Sequence, residues 1–196
     1  MHRFGDGGIF DNEMGLLTIA RKQKLKDNEI RMLVLGLDNS GKTTIITRLM
    51  GQDTGQVFPT IGFQIHTLAW GEYNISAWDV GGQTTLRGFW SNYFDKLDVI
   101  VWVIDSSSME RLEELYQELR EKVILQDQLV GTYFCVLINK IDLVGEEQRD
   151  EIRYAVEQRL GLLRELPSEK YTIQTVSGVS GEGLEAVMEW VVGKDY

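Results

Sequence analysis

The sequence predicts a doubly wound α/β domain: a six-stranded, mostly parallel sheet with one antiparallel edge hairpin and helices on both faces. Three observations carry this. Apolar runs such as Val99-Ile100-Val101-Trp102-Val103-Ile104 are continuous, not alternating, as strands buried on both faces require. Those runs alternate along the chain with stripes of helical period, which implies parallel pairing and right-handed crossovers. A glycine-rich loop stands between the first run and the first helix, where open sheets of this kind place their ligands. With 196 residues and 43% hydrophobic content, the chain is long enough and apolar enough for one domain with a sizeable core.

In order, Ile30-Arg31-Met32-Leu33-Val34-Leu35 is the first strand. Phe63 to Ala69 and Tyr73 to Asp79, joined by Trp70-Gly71-Glu72, read as a hairpin and supply the antiparallel edge. Asp98 to Asp105 is a central strand. Leu112, Leu115, Tyr116, Leu119 and Val123 recur at helical spacing, as do Ile152, Ala155, Val156 and Leu160. Tyr133 to Ile138 and Thr172 to Val176 are the remaining strands. Leu184, Val187, Met188 and Val191 stripe the final helix. Both prolines, Pro59 and Pro167, fall in expected loops.

Gly36-Leu37-Asp38-Asn39-Ser40-Gly41-Lys42-Thr43 is a complete G-x-x-x-x-G-K-[ST] phosphate loop. Following a buried strand and opening a helix, it forms an anion site from the amides of Asp38, Asn39, Ser40 and Gly41 and the helix N-terminus. Lys42 reaches the β- and γ-phosphates and supports catalysis there. The Thr43 hydroxyl ligates Mg²⁺. Asn139-Lys140-Ile141-Asp142, after the strand at Tyr133–Ile138, selects the base. The Asp142 carboxylate accepts two hydrogen bonds from guanine, whereas adenine would leave it unpaired. Lys140 lays its stem along the base, and Asn139 ties the base loop to the phosphate loop. Between these motifs, Trp78-Asp79-Val80-Gly81-Gly82-Gln83 ends a strand in a glycine pair. Asp79 is placed to hold Mg²⁺ through a water, the Gly82 amide to meet the γ-phosphate, and Gln83 to orient the attacking water. Thr60 completes the Mg²⁺ shell and reports whether a γ-phosphate is present. Taken singly, Asp79 and Thr60 are also ordinary turn residues.

With these motifs in place, the chain resembles the small GTPases, and within them the ADP-ribosylation-factor-like branch. Gly36-Leu37-Asp38, Trp78 to Gln83 and Pro59-Thr60-Ile61-Gly62-Phe63 carry the resemblance, which extends from Met14 to the C-terminus. Within that branch, Met14-Gly15-Leu16-Leu17-Thr18-Ile19 and Arg21-Lys22-Gln23-Lys24-Leu25 are similar to the subgroup that works with tubulin-folding cofactors. Asn139-Lys140-Ile141-Asp142-Leu143-Val144 resembles its fungal members. The resemblance implies that Thr44 adds a phosphate contact and that Ser177-Gly178-Val179 is the last base-contacting loop, with Gly178 where the family usually has Ala. It also implies that Phe63, Trp78 and Tyr93 form an aromatic triad that meets effectors. Trp78, in mid-strand, is as consistent with burial as with exposure, and Trp90 and Phe94 are candidates for the same patch.

The expected mechanism is a switch. Bound γ-phosphate draws Thr60 and Gly82 inward and orders segments near residues 53–63 and 80–94; hydrolysis releases them. The first of these segments contains no arginine. Intrinsic turnover is therefore expected on the order of 10⁻⁴ per second or less, with an activating protein supplying the missing cation. Effectors, an activating protein and an exchange factor are the implied partners, and tubulin-folding cofactors are implied by the resemblance alone. Two alternatives remain: a nucleotide-bound scaffold that does not cycle, and a membrane-trafficking switch of the same branch.

Residues 1–13 do not resemble the family and read as an extension, native or left by cloning. Residues 14–28 form a short basic amphipathic helix, and residues 29–196 the GTPase domain. The helix suits docking on the protein's own body or on a partner better than a stable membrane anchor. Its five apolar residues bury little area, and counting from Met14 the acylation pattern fails at Ile19. A net charge of −10 and a pI near 4.7 exclude the basic footprint of a nucleic-acid binder. The single cysteine, Cys135, lies in an apolar strand and reads as a core residue. No run of about 18 apolar residues occurs and no secretory signal is visible, so the expected location is the cytoplasm, with microtubules as a site of action.

Overall fold

The computed structural model describes residues 28–126, 129, 131–161 and 166–196. The expected helix over 14–28 thus lies, but for Asn28, outside the described residues. Six strands form one sheet: β1 (Glu29–Leu35), β2 (Phe63–Trp70), β3 (Tyr73–Val80), β4 (Val99–Asp105), β5 (Tyr133–Asn139) and β6 (Tyr171–Thr175), in the order β2-β3-β1-β4-β5-β6. The β2–β3 pair is antiparallel, turning tightly after Trp70 opposite Tyr73, and the other pairs are parallel. The α-helices among the described residues are α1 (Lys42–Leu49), α2 (Thr84–Arg87), α3 (Leu112–Leu119), α4 (Glu146–Leu160) and α5 (Leu184–Val192). None of the described helices is long and apolar enough to cross a membrane.

The continuous apolar runs are explained by two cores, one on each face. Successive strand side chains point to opposite sides. Val99, Val101 and Val103 of β4 and Cys135 and Leu137 of β5 therefore pack with Ile45 and Ile46 of α1 and with Leu184, Val187, Met188 and Val191 of α5. Their neighbours Ile100, Trp102, Ile104, Val136 and Ile138 pack on the other face with Leu115 and Leu119 of α3 and Val156 and Leu160 of α4. Burial pushes the Cys135 thiol pKa up, so it stays protonated.

Trp90 and Phe94 do not join a surface patch. Both are buried in the second core. Trp90 stands edge-on to Trp102 with centroids 5.5 Å apart, and its indole N–H donates to the Gly81 carbonyl at 3.2 Å. A tryptophan with a satisfied N–H and a perpendicular aromatic partner is more stable inside than out. The helical stripe Leu112–Val123 also proves longer than α3. It continues through a π-helical turn at Arg120–Ile124 that keeps Val123 on the core face.

Candidate functional site

The parallel strands deliver their C-terminal ends to one edge of the sheet, and the motif residues gather there. The loop from β1 turns at Gly41 with φ 90° and passes directly into α1. A Cβ at Gly41 would collide with the Asn139 amide, so both backbone and packing demand glycine. No side chain caps the first turn of α1, and no acidic residue lies in it. Its amides and the helix dipole therefore face the cleft unopposed, as an anion site needs. Lys42 is buried, with Nζ donating to the carbonyls of Gly36 at 3.0 Å and Leu37 at 2.8 Å. Burial lowers its pKa from an ordinary 10.5 to about 8, against the opposing pull of Asp79 and Asp38. An anion of high charge would restore the ammonium. Ser40 is buried and donates to the Leu37 carbonyl at 2.9 Å, while Asp38 and Asn39 stand exposed at the rim.

Beside this loop, three oxygens converge from three segments. Thr43 Oγ1 donates to Asp79 Oδ2 at 2.5 Å, Thr60 Oγ1 donates to the same oxygen at 3.0 Å, and the two hydroxyls lie 2.7 Å apart. Asp79 is fully buried, yet its Oδ1 has no hydrogen-bond partner. A buried carboxylate oxygen left unpaired costs on the order of 1–3 kcal/mol or more, so this one stands ready for a cation or a metal-bound water. Hydroxyls and a carboxylate are the hard oxygen donors that suit Mg²⁺. The donor set therefore fits the ion.

The glycine pair closes one side of the cleft. Gly82 packs so tightly on the phosphate loop that a Cβ would clash with the Gly36 carbonyl and the Leu37–Asp38 peptide. The Asp38 amide donates to the Gly82 carbonyl at 3.1 Å. Gln83 is exposed and lines the same cleft of about 430 Å³ as Lys42, Thr43, Thr44, Thr60 and Val179.

At the end of β5, Asn139 is buried and bridges two loops. Its Nδ2 donates to the Ser40 carbonyl at 2.8 Å and its Oδ1 accepts the Gly178 amide at 2.9 Å. The loop carrying Gly178 is thus tied to the end of β5. Ser177 Oγ donates to Asp142 Oδ1 at 2.5 Å, orienting an exposed carboxylate from buried ground. Lys140 adopts φ 65° and its Nζ pairs with Asp105 Oδ2 at 2.7 Å.

Several contacts here go beyond the motifs. Asp105, at the end of β4, is held by Lys140 and by the Ser107 amide and hydroxyl. Burial alone would raise its pKa, but these bonds bring it below the ordinary value. Its strand-end position was a usable signal. Arg149 of α4 joins the Ile141 carbonyl at 3.0 Å to Glu182 at 2.8 Å, and Arg48 of α1 donates to the carbonyls of Gly178 and Val179. Asp38 is gripped by Arg111 at 3.0 Å and Arg87 at 3.3 Å. Burial would raise its pKa, but the Arg111 hydrogen bond and both positive charges lower it. The arginines carry no motif, because their partners lie far along the chain.

Phe63, Trp78 and Tyr93 meet in one cluster. The rings of Phe63 and Tyr93 are 5.2 Å apart, and Tyr93 stands edge-on to Trp78 at 6.1 Å. Phe63 is exposed and the other two are half-buried, so the patch has an accessible edge on a packed base.

The sequence and the fold agree with known proteins. Residues 16–194 match the model of the ADP-ribosylation factor family. ADP-ribosylation factor-like protein 2 of Dictyostelium discoideum is 42% identical over 179 residues, covering 91% of this chain and 94% of the relative. ADP-ribosylation factor-like protein alp41 of Schizosaccharomyces pombe is 42% identical over 178 residues, covering 91% and 92%. The solved structure of the Arl6 BBS3 small GTPase from Trypanosoma brucei, with bound nucleotide analogue GppNp, superposes with a TM-score of 0.71 at 26% identity, over 83% of this chain and 95% of that one. Proteins of this family bind GTP and GDP with Mg²⁺, hydrolyse GTP, and meet effectors, activating proteins and exchange factors. The phosphate-loop motif, the tetrapeptide Asn139–Asp142, the β2-β3-β1-β4-β5-β6 sheet and these likenesses thus lead to one assignment: the chain belongs to the ADP-ribosylation factor family and is an Arf-like small GTPase, a GTP-binding switch.

Proposed function

We propose that this chain cycles between GTP and GDP, hydrolyses GTP slowly on its own, and acts in tubulin folding and microtubule regulation from the cytoplasm. The observation that carries the switch reading is the meeting of Thr60, from the segment before β2, with Thr43 of the phosphate-loop helix on one buried carboxylate, Asp79. Thr60 can join that group only when its segment folds inward, so its position couples the segment's shape to what the cleft holds. Thr43 and Thr60 would hold Mg²⁺ directly and Asp79 through a water; the ion supplies charge neutralisation on the phosphates when bound. Lys42 binds the phosphate tail, the Gly82 amide meets its γ end, Gln83 orients the attacking water, and Asp142 accepts from the guanine edge. Asp38, Asn39, Ser40, Gly41, Thr44, Lys140 and Ser177 to Val179 complete the nucleotide contacts. Phe63, Trp78 and Tyr93 offer the effector surface.

The tubulin reading is supported by the likeness of Met14–Leu25 and Asn139–Val144 to the subgroup working with tubulin-folding cofactors. Its test is capture of purified tubulin-folding cofactors by protein loaded with a non-hydrolysable GTP analogue or with GDP. Nucleotide-dependent capture supports the reading. Equal or absent capture in both states, with capture of membrane-trafficking effectors instead, replaces it with the trafficking alternative.

A further inference from the structure

Arg87 lies four residues past Gln83, and its side chain is 3% exposed. Its Nε donates to the Gly82 carbonyl at 2.9 Å. One terminal nitrogen reaches Glu114 at 2.8 Å and Glu118 at 3.1 Å, and the other reaches Asp38 at 3.3 Å. The Gly82 carbonyl belongs to the peptide that joins Gly82 to Gln83, and the Asp38 amide grips the same oxygen. On the far side, the Gln83 carbonyl accepts the Leu86 amide at 2.8 Å. Both peptide planes flanking Gln83 are thus fixed, the first by a guanidinium wedged between the phosphate loop and α3. Glu114 and Glu118, one turn apart on α3, hold that guanidinium from behind, and Arg111 shares Glu114 and Asp38 with it. The guanidinium is buried while its carboxylate partners Asp38, Glu114 and Glu118 reach the surface, so the network's value lies less in stability than in holding the guanidinium at one angle. Only a planar fork with separate Nε and terminal donors can serve all these acceptors at once.

We infer that Arg87 is a positioning residue for GTP hydrolysis: it locks the Gly82–Gln83 peptide against the phosphate loop so that the Gln83 carboxamide leaves the backbone toward the γ-phosphate end of the cleft. This rests on the GTPase reading proposed above. A small displacement of a water-orienting group slows a reaction far more than it weakens binding, and GDP has no γ-phosphate for this peptide to meet.

The test compares wild type, Arg87→Lys, Gln83→Leu and the double variant in single-turnover hydrolysis of preloaded Mg²⁺·GTP, alongside GDP release. Arg87→Lys is expected to change GDP release less than about threefold, to slow hydrolysis about tenfold, and to add nothing on top of Gln83→Leu. In ³¹P NMR of the Mg²⁺·GppNHp complex, it should shift or split the γ-phosphate resonance and leave the α resonance in place. Hydrolysis within about twofold of wild type, losses that multiply in the double variant, or an unmoved γ resonance would each overturn the inference. If Arg87→Lys does not fold, Glu114→Gln/Glu118→Gln decides: it leaves the Gly82 bond formable but unsupported, so slower hydrolysis with near-normal GDP release supports the role and unchanged hydrolysis overturns it. Failure of the wild type to bind GDP at all strikes the GTPase reading and not Arg87.

Discussion

Asn139 Nδ2 lies 2.8 Å from the Ser40 carbonyl, a bond that spans 99 residues and joins the end of β5 to the phosphate loop. The same side chain accepts the Gly178 amide. One buried amide therefore holds the loops after β1, β5 and β6 in register. Asn139→Ala removes two hydrogen bonds, each worth about 1 kcal/mol net. GDP release, followed with a fluorescent GDP, should accelerate about 30-fold while the melting temperature of the nucleotide-bound protein falls by only a few degrees.

Asp79 offers a second lever. Its unpaired Oδ1 and its two hydroxyl partners form an oxygen donor set that would tie nucleotide retention to a divalent cation. With Asp79→Asn, GDP release in millimolar Mg²⁺ should approach the rate seen for wild type in EDTA. A variant whose release remained fully Mg²⁺-sensitive would remove Asp79 from that role.

Asp142 is exposed and oriented by Ser177. Asp142→Asn replaces an acceptor with a donor, so GDP affinity should drop about 100-fold and xanthosine diphosphate should become the better ligand. Competition titrations with the two nucleotides measure both shifts.

Gln83 stands exposed in the cleft with both flanking peptides fixed. Gln83→Leu should slow hydrolysis about tenfold or more without weakening GTP binding, accumulating the GTP form. Unchanged turnover in a single-turnover assay would take Gln83 out of the chemistry.

Lys42 makes nucleotide binding pH-dependent in a defined direction. In the free protein burial holds its pKa near 8, below the ordinary 10.5. A phosphate tail favours the ammonium and raises the value, so binding above pH 8 must take up a proton. Calorimetry at pH 8.5 in buffers of different ionisation enthalpy should show uptake of about 0.7 proton per GDP, and affinity should fall as pH rises through 8. The free protein behaves oppositely. Between pH 8 and 10.5 the unfolded chain binds more protons at this lysine than the native state does, so Lys42's contribution to native stability rises with pH across that window.

The fold was largely legible because its signal is local. Val99 to Ile104 is apolar at every position, and a strand can bury every position only when both faces are covered. The phosphate-loop motif and Asn139–Asp142 were legible as motifs for the same reason: each is one short contiguous stretch at a strand end. What escaped were the contacts between stretches. Arg87 finds Glu114 and Glu118 only after α3 packs beside the loop, 27 and 31 residues on. Arg149 finds Glu182 after β6 is laid down. Nothing in their neighbourhood distinguishes these arginines from solvated surface cations. Trp90 was misplaced because it has no periodic apolar partners of its own; its burial depends on Trp102, twelve residues away on β4.

The most direct test is a binding titration of the purified, Mg²⁺-replete protein stripped of nucleotide. A cleft whose main-chain amides and Lys42 grip phosphates while Asp142 reads the base predicts micromolar or tighter affinity for both GDP and GTP, with ATP failing to displace either at large excess. Absence of measurable guanine-nucleotide binding, or equal affinity for ATP, would contradict it.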